Sequence, residues 1–345
     1  MPLPIEPTQI DQLLKKHYGY QGDHLAQRMP DSFNINYRIG GDFFVKATPR
    51  GQLQPQGPYA AKIALVRMMH QRGLPVPEVI QTRDGKDFVS EGEFDIEVHR
   101  WMPEVELYGG HPGQLEQVAR FMAKFQTCID EIKAPEVEVL RALPSPYVGI
   151  TEQGREPFLD ELAGYERELA RIPEPLRSHV RETIPILRER YQQRLQRSTH
   201  DVGLNHADLH DLQMLFHTGS KDLAVIIDWE GSCVDTRTLD IGYTLERLSM
   251  DSKRLYSDQS CPLSEFTYDP RKVAVFLEQY GKERPLTNNH LTEMVDQLTL
   301  LFMNSNARML RRVFGPEQNY KLLTGLRIRS IQRIESLRQH LPILK

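Results

Sequence analysis

Residues 204–215 read LNHADLHDLQML, a short stretch holding two histidines, two aspartates and a side-chain amide. The stretch is placed between a helical run and a hydrophobic strand. Asp208 is expected in a turn after the helix, and five residues later Gln213 opens a strand, MLFH. Thr218-Gly219-Ser220 turn the chain, and LAVIID returns it along a neighbouring strand to Asp228. A hairpin of that length brings Asp228 close to Gln213. Two oxygen donors so placed suit Mg2+, a hard cation that takes few protein ligands and completes its shell with water and phosphate oxygens. Asp208 beside such a metal could accept a proton from an attacking hydroxyl.

Plainer duties compete. Asp208 and Asp211 could cap a turn, Gln213 could edge a strand and Asp228 could begin a loop. Any one aspartate alone favours that reading, but two joined by a strand–turn–strand of this length shift the balance to chemistry. His206, His210 and His217 could in principle hold zinc. However, His217 closes a strand, and the spacing is not the i, i+4 helical arrangement of zinc hydrolases.

The elements that must position these residues fall into two parts. Residues 7–17 have helical spacing, with Ile10, Leu13 and Leu14 on one face. FNINYRI turns at Gly40-Gly41-Asp42 and returns as FFVKA, the signal of a hairpin. A Gln/Pro/Gly-rich link over 50–58 leads to a helix at 59–72 that Gly73 stops. LPVPEVI and DFVSEGEFDIEVHRWM are predicted to add strands. After Pro103 the pattern turns helical, with helices over 112–131, 157–171, 174–196, 270–280, 286–314 and 316–340 and a proline-bearing loop over 132–156. These periods predict an α+β fold of two lobes, a small β-rich lobe over 1–103 and a larger, mainly helical lobe over 104–345.

Composition bounds the function. A chain of 345 residues, 39% apolar and 26% charged, is long enough for two lobes of ordinary size. A formal charge of −4 exerts no global pull on nucleic acid or on a membrane surface. The basic runs at 304–314 and 326–338 recur at helical spacing beside Leu and Ile, so they read as solvated outer faces. No apolar run approaches the roughly 18 residues that cross a bilayer. The first residues carry neither a basic nor an apolar leader pattern, and Cys128, Cys233 and Cys261 lie far apart in odd number. The expectation is a cytoplasmic protein with no nucleic-acid or membrane partner.

HADLHDLQ followed by IIDWE resembles the catalytic and metal loops of the aminoglycoside phosphotransferase/choline kinase-like family. That pattern is His-x-Asp, four residues, Asn, then a strand pair and Asp. LDIGY at 239–243 is similar to the helix start that follows there. FNINYRI resembles the Asn-x-Asn-Tyr nucleotide strand of the homoserine kinase-like branch, FFVKA carries a lysine at the place of the family's strand lysine, and LPVP after a helix is a further match. The pieces cover about residues 25–250, in order.

The resemblance implies a bilobal protein kinase-like fold and transfer of the γ-phosphoryl group of ATP (or GTP), with Mg2+, to a hydroxyl of a small molecule. It implies Asp208 as catalytic base and Asp228, with Gln213, as metal ligands. Lys46 would meet the α/β-phosphates, where the residues alone would equally allow a strand lysine facing solvent. The backbone around Ser32–Asn36, supported by Ser32, Asn34 and Asn36, would cover the triphosphate. His206 would orient the loop, and residues 97–103 would hold adenine by backbone bonds, with Trp101 in the core. Asp211, Trp229 and Glu230, and less directly Asp235 and Glu246, would line the acceptor site. Carboxylates there suit an amine-bearing acceptor such as an amino alcohol, amino sugar or aminoglycoside. Glu230 could instead be a second metal contact.

Three departures stand out. Gln213 replaces Asn and adds a methylene, so the loop adjusts, the metal is held through water, or binding weakens. The helix 59–72 lacks the glutamate that partners the strand lysine, with Lys62 and Ile63 at that place; Glu91, Glu93 or the nucleotide alone would have to serve Lys46. Gln126 stands where many relatives have His. These losses keep a rival open, a pseudokinase-like binding protein without phosphotransfer.

Overall fold

A computed structural model of the chain describes residues 5–22, 26–29, 34–50, 59–141, 163–164, 166–167, 169–171, 174, 176–195, 201–249, 268–314 and 337–341. In chain order they form α1 (Pro7–Leu13), a π-helical turn (Leu14–Tyr18), β1 (Ala26–Arg28), β2 (Ile35–Ile39), β3 (Phe43–Pro49) and α2 (Tyr59–Gln71). Next come β4 (Val89–Glu91), β5 (Phe94–Arg100), β6 (Val105–Leu107), α3 (Pro112–Glu131), α4 (Pro135–Arg141) and α5 (Leu176–Leu195). Then follow β7 (Val202–Asn205), β8 (Met214–His217), β9 (Leu223–Ile226), β10 (Cys233–Thr236), α6 (Thr238–Ser249), α7 (Pro270–Glu283) and α8 (Asn288–Phe314). The architecture is α+β, with an antiparallel sheet early and helices late.

Contacts divide the chain into two compact units. The first comprises residues 1–109, 127–143 and 212–232, the second residues 110–126, 144–211 and 233–345.

In the first unit a five-stranded antiparallel sheet runs in the order β1-β2-β3-β5-β4. Period-2 alternation explains its two faces. Tyr37, Ile39, Val45, Ala47, Ile96 and Val98 point one way, into a core with Ile10, Leu13 and Leu14 of the N-terminal helix. The alternate residues form rows across the other face: Asn36 pairs with Lys46 and Lys46 with Glu97, while Arg38 pairs with Phe44 and Phe44 with His99. Gly40, at φ 56, makes the left-handed turn that joins β2 to β3. A second sheet of this unit, β6-β8-β9, carries the hairpin that ends at Asp228.

In the second unit β7 pairs with β10, from Asn205↔Cys233 to Val202↔Thr236. The chain leaves β10 into α6, all of whose residues are buried, including Asp240, Thr244, Glu246 and Arg247. Polar groups so deep require hydrogen-bond partners, and this helix is where they concentrate. Gly242 permits its close packing: a Cβ there would lie 2.6 Å from Met294 Cγ of α8.

Several expectations change. LPVPEVI makes no strand, only an isolated bridge from Val79 to His99, because two prolines remove ladder donors. The predicted loop over 132–156 begins with α4, since Pro135 is suited to a first helical turn. Gln213 lies in a 3-10 turn, Asp211–Gln213, and the strand opens one residue later at Met214. Helix 7–17 is α1 plus the π-helical turn. The link 51–58 and most of helices 157–171 and 316–340 lie outside the described residues.

Candidate active site

The polar face of the first unit's sheet forms one wall of a cavity of about 470 Å³, a size suited to a nucleotide-like ligand. Asn36, Lys46 and Glu97 line it as one cross-strand row, with His99 in the next row. Lys46 is only 8% exposed, so its charge must be matched nearby. It is matched three ways. Its Nζ lies 2.8 Å from Asp228 Oδ1, it also pairs with the Glu230 carboxylate, and Glu97 stands across the strand pair.

Glu97 is itself buried. Burial would raise its carboxyl, but His99, whose Nε2 lies 3.4 Å away, together with Lys46 and Tyr59 holds it below the ordinary carboxylate value. The expected substitutes for the missing helix glutamate, Glu91 and Glu93, are exposed and make no pair with Lys46. Glu97 is the acid that sequence reasoning missed. The alternation in FDIEVHR could have found it, since 95, 97 and 99 must share one face of a strand.

The helix position that lacks the glutamate carries a cation instead. Lys62 is buried, lines the same cavity and donates through Nζ to the backbone carbonyl of Glu230. The turn 228–230 is thereby gripped from two sides, by Lys46 from β3 and Lys62 from α2. Asn34 adds a bond from Nδ2 to Glu230 Oε1 at 3.3 Å. Asp228 adopts φ 73 and ψ 55, a left-handed conformation costly for a residue with a Cβ and typical of functional turns. Ser32 lies outside the described residues.

The far wall of the cavity differs from expectation. Trp101 is half-buried and lines the cavity, with the Arg38 guanidinium 4.7 Å from its ring centroid, so it is not core. The backbone N–H groups of Arg100 and Trp101 already donate to Glu78 and Asp42 carbonyls. Those two amides are therefore not the ones offered to a base.

A metal is implied by the resemblance, and the donor set suits it. Ile227 N–H donates to the Gln213 carbonyl at 3.0 Å, holding the two ends of the hairpin together. Gln213 Oε1 and Glu230 Oε2 are buried oxygens with no hydrogen-bond partner among the described residues. Amide and carboxylate oxygens are the hard donors Mg2+ prefers. Among the described residues no group of three or more His, Cys, Asp or Glu could form a closed metal cage. That leaves the zinc reading of His206, His210 and His217 without support.

The loop that carries Asp208 lies in the second unit. Asp240 accepts the backbone N–H of His206 at 2.6 Å and of Ala207 at 2.7 Å. Burial, against those two bonds and with Asp235 and Asp208 adding to it, raises its carboxyl to about 7. Ala207 has φ 67, and the loop tolerates that strain because Asp240 ties both amides. His206 is buried, and its Nδ1 accepts the Asp208 N–H at 3.3 Å. The Asp208 side chain is 47% exposed, and Tyr243 donates its hydroxyl to Oδ1 at 3.0 Å.

Asp211 is partly buried. Burial raises its carboxyl above the usual value, and Arg247 lies 3.8 Å away. Asp235 and Glu246 are wholly buried within the second unit. Trp229 is 4% exposed, donates its indole N–H to Ile226 O and lines the cavity beside Asp228 and Glu230. Gln126 is buried between Arg237, whose carbonyl it bonds, and the Tyr280 hydroxyl. Asp240 and Tyr243 were missed as site residues although LDIGY was noticed, because a helix start alone does not say which loop its side chains hold.

The α+β fold and the sequence family together make this chain a small-molecule kinase. The sequence matches the Phosphotransferase enzyme family over residues 31–273, and the chain belongs to that family. Solved structures share its fold. A spectinomycin phosphotransferase in complex with ADP and spectinomycin is 15% identical, with a TM-score of 0.66, covering 98% of this chain and 100% of that one. An amicoumacin kinase in complex with AMP-PNP and Ca2+ is 16% identical, with a TM-score of 0.65 and coverage of 96% and 95%. A choline/ethanolamine kinase family protein from Mesorhizobium loti is 13% identical, with a TM-score of 0.59 and coverage of 97% and 98%. No protein of curated function matches the sequence.

Proposed function

We propose that this chain transfers the γ-phosphoryl group of ATP to a hydroxyl of a small amine-bearing molecule, an amino alcohol, amino sugar or aminoglycoside. The observation that carries the reading is the buried Lys46 paired with Asp228 in a nucleotide-sized cavity. Lys46 offers a point charge to phosphate oxygens, and Asn34 and Asn36 flank it. Gln213 and Asp228, with Glu230, would hold Mg2+, which when bound neutralises phosphate charge. In the transfer itself the acceptor oxygen bonds the γ-phosphorus, its proton passes to Asp208, and the bond to the bridging oxygen breaks to release ADP. Positioning and electrostatics supply most of the acceleration, since such transition states ask little covalent help.

Support for the acceptor class comes from two sides. Asp208 and Asp211 are the acids of the loop that reach its surface. The structural neighbours include proteins described as a spectinomycin phosphotransferase and as a choline/ethanolamine kinase family member. No nucleic-acid or membrane partner enters the reading. Among the described residues no helix is long and apolar enough to cross a membrane.

The test is ATP consumption with Mg2+ against a panel of amino alcohols, amino sugars and aminoglycosides. At least one acceptor should stimulate turnover, and Asp208→Asn should lower it by about 10²–10⁴-fold with ATP affinity nearly kept. No stimulation by any of them would refute the acceptor class, and an active Asp208→Asn protein would refute the base.

A further inference from the structure

Helix α6 holds the loop 206–209 one residue at a time. Positions 240, 243 and 244 are spaced i, i+3 and i+4, which puts them on one face of a helix. Asp240 takes the His206 and Ala207 amides, Tyr243 meets the Asp208 carboxylate, and Thr244 Oγ1 donates to the Leu209 carbonyl at 3.0 Å. Three of these contacts fix backbone. The Tyr243 contact alone touches a reacting group.

We infer that Tyr243 is a positioning residue for phosphotransfer: its hydroxyl holds Asp208 Oδ1 and so fixes the plane in which that carboxylate faces the acceptor. The inference rests on the reading of Asp208 as the base. Tyr243 is 8% exposed, so the hydroxyl reaches Asp208 from the interior, while nearly half of the Asp208 side chain faces solvent. His210 packs edge-on to the Tyr243 ring at 6.4 Å and lies 3.9 Å from the same Oδ1, which limits rotation of both. A phenylalanine would fill the space equally well. Only the hydroxyl adds the bond, and a bond donated to a carboxylate favours its charged form.

The test compares wild type with Tyr243→Phe, using two readouts. The first is carbon NMR of the protein labelled at aspartate carboxyl groups, with Asp208 assigned by its loss in Asp208→Asn. The Asp208 titration midpoint should move to higher pH by about one unit in Tyr243→Phe. The second is phosphate release from ATP and Mg2+ with water as acceptor. Here kcat should fall about tenfold with the KM for ATP within about twofold, and the acidic limb should move up in step. A lower melting temperature with an unmoved midpoint and limb would mean a packing role only, and would overturn the inference.

The outcomes separate the two ideas. Asp208→Asn that still releases phosphate defeats the base reading and the inference with it. Asp208→Asn that is inactive beside an unchanged Tyr243→Phe defeats the inference alone. The titration needs no turnover, so a wild type that releases no phosphate counts against phosphotransfer while the midpoint still decides the contact.

Discussion

Lys46 Nζ lies 2.8 Å from Asp228 Oδ1, so the strand lysine is held by the proposed metal turn rather than by an acid on the following helix. The phosphates of an entering nucleotide would compete with Asp228 for Lys46, since both offer anionic oxygens to the same ammonium group. Lys46→Met should therefore weaken ATP binding at least about tenfold and lower folding stability by about 2 kcal/mol, because Glu230 and Glu97 lose their cation. Calorimetric titration with ATP and urea unfolding measure the two effects. Unchanged ATP affinity would remove Lys46 from the binding site.

Glu97 shares a cross-strand row with Lys46, whereas Glu91 and Glu93 are exposed. Glu97→Gln should weaken ATP binding about tenfold, since Lys46 would then lean further onto Asp228 and Glu230. Glu91→Gln and Glu93→Gln should stay within about twofold of wild type. Equal effects at all three positions would contradict the row as the lysine's support.

Gln213 Oε1 is a buried oxygen without a hydrogen-bond partner among the described residues, at the end of the hairpin that leads to Asp228. Asp228→Ala should abolish the dependence of ATP binding on Mg2+. Gln213→Asn, one methylene shorter, should shift the Mg2+ midpoint by about threefold or more in either direction. A midpoint that neither substitution moves would place the metal elsewhere.

Asp240 has a folded-state carboxyl raised to about 7. A raised carboxyl binds more protons folded than unfolded, so its contribution to stability is full below the unfolded value near 4 and is lost as pH rises through 7. Melting temperatures taken from pH 4 to 8 should show this decline in wild type. Asp240→Asn should be less stable overall, since an amide cannot accept both the His206 and Ala207 bonds in the same way, but should lack that slope. A slope retained in the variant would assign the titration to another group.

Local sequence determined much of this protein. The alternation in NINYRI, FFVKA and FDIEVHR was enough to predict strands with one apolar and one polar face, because strand side chains alternate whatever surrounds them. The 3.6-residue period likewise revealed α2, α3, α5, α7 and α8, and the spacing from Gln213 to Asp228 revealed a hairpin. Tertiary structure alone decided partners. Which acid serves Lys46 depends on strand order and register, and Glu97 lies 51 positions away in sequence. That Lys62 would turn inward to a carbonyl, and that Asp240 and Tyr243 would grip the loop from 206 to 208, followed from burial and helix packing. The physical reason is that periodicity is a local property carried by each segment, while a buried charge is satisfied only by groups brought to it from elsewhere in the chain.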